Sequence, residues 1–164
     1  MNTMAPTRPI VLHRHRVPLA AGPAAPAQAR GQVRAAICTW DVPVDPDVAI
    51  LLTSELVTNA ITHEVGETIM LAISCSGNHL RVDVHDSSCA LPVPEDAPVD
   101  AETGRGLMLV NSLSSEWGCY RTPTGKAVYF TLAFESAPGE NGDFAPRRRH
   151  PRPARRQPVG QVRL

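Results

Sequence analysis

Two pairs of strand-like segments, each joined by a short polar turn, constrain most strongly what this chain can fold into. The first pair is Thr68–Cys75 and His79–His85, and the second is Glu116–Arg121 and Ala127–Phe134. The turn at residues 76–78 reads Ser-Gly-Asn, which is typical of a β-hairpin. Because parallel neighbours need a long crossover connection, such short turns join antiparallel strands. The sequence therefore predicts a sheet built mainly from antiparallel hairpins.

Helical segments precede the first hairpin and separate it from the second. Ala24–Trp40 carries apolar residues at helical spacing. Asp45 followed by Pro46 predicts the start of a second helix, which ends near His63. A third helix is predicted to open at Gly104–Gly106. Hairpins interspersed with helices predict an α+β fold, a two-layer α/β sandwich with a mixed, mainly antiparallel sheet and helices on one face.

The two ends of the chain differ in composition from its middle. Ile10–Val17 reads as an edge strand between two prolines. All sixteen acidic residues lie between Asp41 and Asp143, whereas residues 146–164 hold seven arginines and no acid. We expect a folded domain over residues 10–135, with disordered segments at 1–9 and 136–164 that are rich in Pro, Ala or Arg. The acidic domain lacks a broad basic face for nucleic acid, whereas the basic tail stays open to nucleic acid, an acidic protein surface or solvent.

Cysteine usage and hydropathy favour a reducing, aqueous compartment. Cys38, Cys75, Cys89 and Cys119 form no C-x-x-C pair and match no zinc or disulfide pattern. No apolar stretch is long enough to span a bilayer, and basic residues interrupt the N-terminal region where a secretion signal would be apolar. We therefore expect a cytoplasmic protein that does not contact membranes.

Three short segments carry residues suited to binding or catalysis. Glu55 and Asn59 are four residues apart in the second predicted helix and therefore share one face. Asp86 ends a strand, where a carboxylate can accept a hydrogen bond from an amine. Gly104–Gly106 opens a helix whose free N–H groups favour phosphate oxygens. Taken singly, each also fits an ordinary alternative: an exposed polar face, the start of a turn or a solvated helix end.

Together and in this order, the segments resemble the conserved boxes of the gyrase–chaperone–histidine kinase ATPase superfamily. Residues 55–63 resemble its N box, Asp86 the Asp of its first glycine box, and Gly104–Leu107 its second glycine box, with residues 92–103 in the place of the ATP lid. Residues 104–130 are similar to the small single-domain branch that includes the bacterial anti-sigma-factor serine kinases. The resemblance covers residues 10–135 and implies the Bergerat ATP-binding fold.

The resemblance implies a chemical role for two residues of the helix that begins after Asp45. Glu55 would be the general base that polarises the attacking hydroxyl of a partner's serine or of water. Asn59 would give its amide oxygen to Mg²⁺, which bridges the phosphates of ATP.

The other matched positions would bind the nucleotide. They are Asp86, Ser88, Gly104, Arg105, Gly106 and Leu107. Asp86 would accept a hydrogen bond from the adenine amino group, and Gly104 and Gly106 would hold the phosphates at a helix N-terminus. Arg105 would reach a phosphate or a partner, or remain a solvated helix-end arginine.

The sequence departs from the family pattern at two places that concern adenine. The first glycine box normally reads Asp-x-Gly-x-Gly, whereas here Ser88 adds a side chain where the backbone approaches adenine. A Thr that often precedes the Val of the last strand is replaced by Ala127. The departure at Ser88 concerns the hinge of the lid, and the departure at Ala127 predicts a reduced affinity for the nucleotide.

The resemblance predicts an ATP-binding anti-sigma regulatory factor with serine/threonine protein kinase activity. It would phosphorylate an anti-anti-sigma antagonist protein and control a sigma factor by partner switching, and it is compatible with a homodimer. Two alternatives stay open: a catalytically weak ATP/ADP-binding module that binds a partner without phosphoryl transfer, and an interaction domain that needs no nucleotide.

Overall fold

The computed structural model describes residues 12–63, 66–89 and 102–135, which form five strands and three helices. In chain order they are β1 (His13–Ala20), α1 (Ala25–Thr39), α2 (Pro46–His63), β2 (Thr68–Ser76), β3 (His79–Asp86), α3 (Glu102–Leu113), β4 (Glu116–Thr122) and β5 (Gly125–Ala133). The predicted α+β class is confirmed. The predicted tails at 1–9 and 136–164, and residues 92–101 of the predicted lid, lie outside the described residues.

The strands form one open sheet in the order β1-β2-β3-β5-β4. Every strand pair that the structure describes is antiparallel, so the sheet is antiparallel in this part of the chain rather than mixed. Both predicted hairpins are present, and Gly77 supplies the positive φ of 58° that the first turn requires. β5 pairs with both β3 and β4, so the last of the described strands is an internal strand of the sheet.

The helices cover one face of this sheet. Alternate residues of the central strands are buried in the core, with Val82 and Val84 on β3 facing the same side as Val128 and Phe130 on β5. α1 packs on β1 and β2, α2 packs on β3 and β5, and α3 packs on α2. Residues that continue the buried rows of β3 and β5 therefore point to the helix side.

The long central helix begins where the sequence predicts. Oδ1 of Asp45 accepts hydrogen bonds from the backbone N–H groups of Asp47, at 2.9 Å, and Val48, at 3.5 Å. These bonds satisfy two of the donors that a helix start leaves without an intrahelical acceptor. Leu52 and Leu56 are fully buried in the core, each contributing about 2 kcal/mol by apolar burial.

Several element boundaries differ from the sequence prediction, among them the start of β5, which lies at Gly125 rather than at Ala127. β1 runs through Pro18, which stands opposite Met70, whereas the prediction ended the strand before this proline. β1 is an edge strand, where a residue without an N–H group is tolerated, so Pro18 does not end it. α3 begins at Glu102, so the residues Gly104–Gly106 lie inside its first two turns and not before it.

The four cysteines lie on four different segments of the described chain. All four cysteines are free, with Cys75 buried and Cys119 half-buried. None of the helices in the described ranges combines the length and the apolar character needed to cross a membrane.

Candidate nucleotide-binding site

Asp86 ends β3 with a side chain that is 1% exposed. Its Oδ1 accepts a hydrogen bond of 2.9 Å from the backbone N–H of Ser88, which fixes the carboxylate at the start of the following turn. Asp86 continues the buried row of Val82 and Val84, so the carboxylate lies on the helix side of the sheet. Ser88, at the position of a family glycine, is also buried.

Lys126 stands opposite Asp86 on β5, and sequence reasoning missed it as a site residue. Its side chain is 6% exposed, and Nζ lies 3.6 Å from Oδ2 of Asp86. Charges are buried in this way when they are paired, because an isolated buried charge is costly. The signal that identifies Lys126 is the period-two pattern of β5, in which Val128 and Phe130 face the core and position 126 must face the same way.

The pairing of β3 with β5 also corrects the expectation for Ala127. Ala127 stands opposite His85 and belongs to the face of the sheet that points away from Asp86. A threonine at this position would not add a hydroxyl beside the carboxylate. The residue of β5 that shares the surroundings of Asp86 is Lys126.

Gly125 holds the start of β5 against the end of β3. A Cβ at position 125 would overlap the carbonyl oxygen of Asp86 and lie 2.7 Å from Cα of Ser87. The backbone also has a φ of 158°, which side chains rarely adopt. Only glycine allows this close approach, which brings Lys126 level with Asp86.

A second group of residues lies where α2 meets α3. Glu55 and Asn59 share one half-buried face of α2, next to the buried Leu56 and Ala60. The Oε2 atom of Glu55 lies against Gly106 of α3, in the space where a Cβ at position 106 would stand. The structure therefore brings Glu55 and Gly106 together, and Gly106 provides room for the carboxylate.

The other residues of the second glycine box are spread over the start of α3. Gly104 lies in the first turn, where backbone N–H groups have no intrahelical acceptor. Gly106 lies two residues further in, Arg105 is exposed and Leu107 is half-buried. The anion-binding character of the helix start is thus associated with Gly104 rather than with Gly106.

The polar residues on the opposite face of the sheet pair among themselves. Arg81 donates two hydrogen bonds to Asp83, at 2.7 and 2.9 Å, and its guanidinium lies 3.7 Å from the ring centroid of Tyr129. The hydroxyl of Tyr120 donates to the same carboxylate at 3.1 Å. Burial, followed by the negative charge of Asp83, raises the pKa of Tyr120. This network is separate from the helix side, where Asp86 lies.

On the helix side, Cys119 of β4 lies within the electrostatic influence of Lys126. Burial raises the pKa of the Cys119 thiol, and the positive charge of Lys126 opposes that increase. The thiol is therefore neutral at pH 7, so it adds no negative charge near the Asp86–Lys126 pair.

The donor set fits a metal that arrives with a nucleotide better than a resident metal. Residues 12–63, 66–89 and 102–135 contain no group of three or more His, Cys, Asp or Glu side chains that would hold a metal ion. Mg²⁺ commonly takes one or two protein ligands and completes its shell with phosphate oxygens and water. The half-buried amide of Asn59 is a suitable single ligand, and the Asp86 carboxylate is a suitable acceptor for an amino group.

Comparisons with known proteins identify the domain. The structure resembles the crystal structure of the RsbU and RsbW domains of Rv1364c from Mycobacterium tuberculosis, with a TM-score of 0.56 and 20% sequence identity. The likeness covers 74% of this chain and 32% of that chain, so this protein spans about a third of its structural neighbour and shares its fold. No curated protein matches the sequence.

A family model supplies the assignment that the structural likeness alone does not. The model of the histidine kinase-like ATPase domain matches residues 20–132, which include Glu55, Asn59, Asp86 and the start of α3. This domain type implies ATP binding. Because the match extends over more than half of the sequence, the chain belongs to the histidine kinase-like ATPase domain family.

Proposed function

We propose that this protein is an ATP-binding regulator of the anti-sigma type. It transfers the γ-phosphoryl group of ATP to a serine of an anti-anti-sigma antagonist protein and controls a sigma factor by partner switching. The observation that carries the proposal is the placement of Glu55 and Asn59 on one half-buried face of α2, with the Glu55 carboxylate against the first turns of α3. In this proposal, the base and the amide ligand lie beside a helix start that suits phosphate.

Each group of the site has one task in this proposal. Glu55 accepts the proton of the serine hydroxyl while the serine oxygen forms the new P–O bond and ADP departs. Such general-base catalysis contributes about 10²- to 10⁴-fold to the rate. Asn59 holds Mg²⁺, which when bound neutralises phosphate charge. Asp86 orients the adenine ring at the other end of the nucleotide. Gly104 offers backbone N–H groups to the phosphates.

A second candidate function is a nucleotide-dependent binding module that transfers no phosphoryl group. Ser88 favours it, because a buried serine bonded through its N–H to Asp86 replaces a glycine that would let the following segment move. Closure of a segment over the site is a common requirement for the chemical step and not for binding.

Calorimetric titration with ATP and ADP, with and without MgCl₂, tests the site. We expect Asp86→Asn to lower the affinity for both ATP and ADP. Asn59→Ala should remove the effect of Mg²⁺ on nucleotide affinity and leave binding in the absence of Mg²⁺ unchanged. Thr58→Ala, at the exposed neighbouring position on α2, is the matched control and should behave as wild type. Absence of binding by the wild-type protein at millimolar ATP would instead support the interaction domain that needs no nucleotide.

A transfer assay separates the kinase from the binding module. The protein is incubated with γ-labelled ATP and, in turn, with each anti-anti-sigma protein encoded by the same genome. Serine labelling that is lost in Glu55→Gln, while ATP binding is retained, supports the kinase. Nucleotide-dependent binding of an antagonist without labelling supports the module.

A further inference from the structure

An open pocket lies at the opposite end of β5 from the pairing of Lys126 with Asp86. Its volume is about 310 Å³, and its walls come from the segment that leads into α2, the end of α3 and the end of β5. Asp45, at its mouth, precedes Glu55 by ten residues, which extend over about 15 Å of helix. The pocket is therefore separate from the candidate nucleotide-binding site.

The walls of this pocket are largely apolar. The apolar residues that line it include Val48 on α2, Leu113 at the end of α3 and Phe134 after β5. The backbone N–H of Phe134 donates to the carbonyl oxygen of Asn78 at 2.8 Å, which fixes this wall. Leu113 is nevertheless 42% exposed. An apolar group that covers this wall would remove apolar surface from water, which is favourable.

The mouth of the pocket carries negative charge. Asp45 and Glu135 both line it and are exposed. Among the described residues that line the pocket there is no Lys, Arg or His. A segment that presents an apolar side chain next to positive charges would therefore complement both the walls and the mouth.

The chain itself supplies such a segment directly after the pocket. Glu135 is the last residue that the structure describes, and the sequence continues to Phe144 and to three arginines at 147–149. Phe144 is the only Phe, Tyr or Trp beyond residue 135, and it follows Glu135 by nine positions, which extend over at most about 32 Å. Residues 138–139 read Pro-Gly and residues 141–142 read Asn-Gly, two dipeptides typical of turns. Turns in this short connection favour a return of the chain to the pocket.

We propose that the pocket is the docking site for residues 144–149 of the same chain. The ring of Phe144 covers the apolar walls beside Leu113 and Phe134, and the arginines at 147–149 face Asp45 and Glu135. A segment on so short a connection has an effective concentration in the millimolar range, so a weak contact is sufficient within one chain. A partner protein that presents an apolar side chain next to basic residues has to compete with this segment for the pocket.

Photo-cross-linking of the full-length protein tests this docking. p-Benzoylphenylalanine, an aromatic residue that bonds to nearby C–H groups on irradiation, is incorporated at position 144, and the linked peptides are identified by mass spectrometry. We expect links to residues 43–48, 113–115 or 132–135. The same probe at position 159, beyond the basic run, should give these links with a yield at least about 10-fold lower, since the anchor of a contact carries most of its energy. Mixing ¹⁴N- and ¹⁵N-labelled chains distinguishes links within one chain from links between copies.

A substitution in the wall of the pocket provides a second test. Leu113→Ser removes exposed apolar surface from the wall, so the yield of links from position 144 should fall about 10-fold. Met108→Ser is the matched control, because Met108 lies on the same helix, is 69% exposed and is not among the residues that line the pocket. It should keep the wild-type yield within about 2-fold.

The arginines are tested by replacing all three with glutamine. The yield from position 144 should fall about 3-fold or more, as for the loss of several exposed ion pairs. With the arginines present, the yield should also fall between about 50 mM and about 500 mM NaCl, because salt screens exposed charges.

The outcomes are decisive for the docking and independent of nucleotide binding, since no nucleotide is present. Links mainly between copies, equal yields from positions 144 and 159, or a wild-type yield in Leu113→Ser would each overturn docking within the chain. An unchanged yield in the glutamine variant would overturn the pairing of the arginines with Asp45 and Glu135.

Discussion

The carboxylate of Glu55 on α2 occupies the space beside Gly106 of α3 that a side chain at position 106 would fill. The two residues are fifty-one positions apart in sequence, yet the missing side chain of one sets the position of the other. Gly106 matters here through the room it leaves for the proposed base.

Gly106→Ala should therefore move Glu55. Alanine normally stabilises a helix interior by about 0.5–1 kcal/mol relative to glycine, but here the gain is opposed by displacement of a half-buried carboxylate. We expect phosphoryl transfer or ATP hydrolysis to fall about 10- to 100-fold, as for a misplaced catalytic group, with ATP affinity changed less than about 3-fold. Kinetics and calorimetry on the same preparation measure both quantities.

The control for this variant is Gly31→Ala on α1, where an added Cβ meets nothing within 4 Å. It should raise the free energy of unfolding by about 0.5–1 kcal/mol and leave activity unchanged. Equal stabilisation and full activity in Gly106→Ala would show that Glu55 does not depend on this glycine.

Gly125→Ala should destabilise the fold and weaken nucleotide binding together. The added methyl group would overlap the backbone of Asp86, and β5 would have to shift away from β3. Urea denaturation should show a loss of about 3 kcal/mol, at the upper end for overpacking. Gly22→Ala, where nothing lies within 4 Å, should stay within about 0.5 kcal/mol of the wild type.

His85 should make stability depend on pH. Burial, the largest cause, lowers its pKa in the folded state below the usual 6.5, although the carboxylates of Asp83 and Asp86 oppose the shift. At pH values between these two pKa values, His85 binds more protons in the unfolded state than in the folded state. The protein therefore loses stability as the pH falls from 6.5 towards the pKa of His85 in the folded state. Urea titrations at several pH values should show a weaker pH dependence in His85→Gln.

The comparison for His85→Gln is the wild type, with the slope of stability against pH measured in both proteins between about pH 5.5 and about pH 7. An unchanged slope in His85→Gln would mean that other groups account for the acid sensitivity.

Asp45→Ala should cost about 1 kcal/mol of stability, because it removes the acceptor for the N–H groups of Asp47 and Val48. The cap at Asp45 precedes the first residue of α2 and lies ten residues before Glu55. Nucleotide affinity should therefore stay within about 2-fold of the wild type, whereas a large change would mean that the cap also positions the site.

Local signals predicted the start of α2 and both hairpins, because the cap at Asp45 and the turn at Gly77 depend on residues only a few positions away. The segment Ile10–Val17 was predicted as an edge strand, but its continuation through Pro18 was not, since only the strand register shows that Pro18 stands opposite Met70. Lys126 was missed because the prediction began the last strand at Ala127, so the period-two pattern of β5 was not extended to position 126. Its pairing with Asp86, forty residues earlier in the sequence, becomes visible only in the sheet.

For the site residues, too, local features were predicted from the sequence and long-range contacts were not. The shared face of Glu55 and Asn59 follows from helical spacing and agrees with the structure, whereas the contact of Glu55 with Gly106 requires the packing of α2 on α3. The nucleotide-binding roles themselves stay predictions until a ligand is measured.

The central position of β5 has a consequence for synthesis of the protein. The ribosome completes residues 125–133 only after every other described element, yet these residues fill the gap between β3 and β4. A nascent chain that ends before them has Asp86 without Lys126 and Val82 without its cross-strand partner Phe130. A nucleotide that binds beside Asp86 only in the assembled sheet would therefore select chains that include β5, and its binding would report that synthesis has passed residue 133.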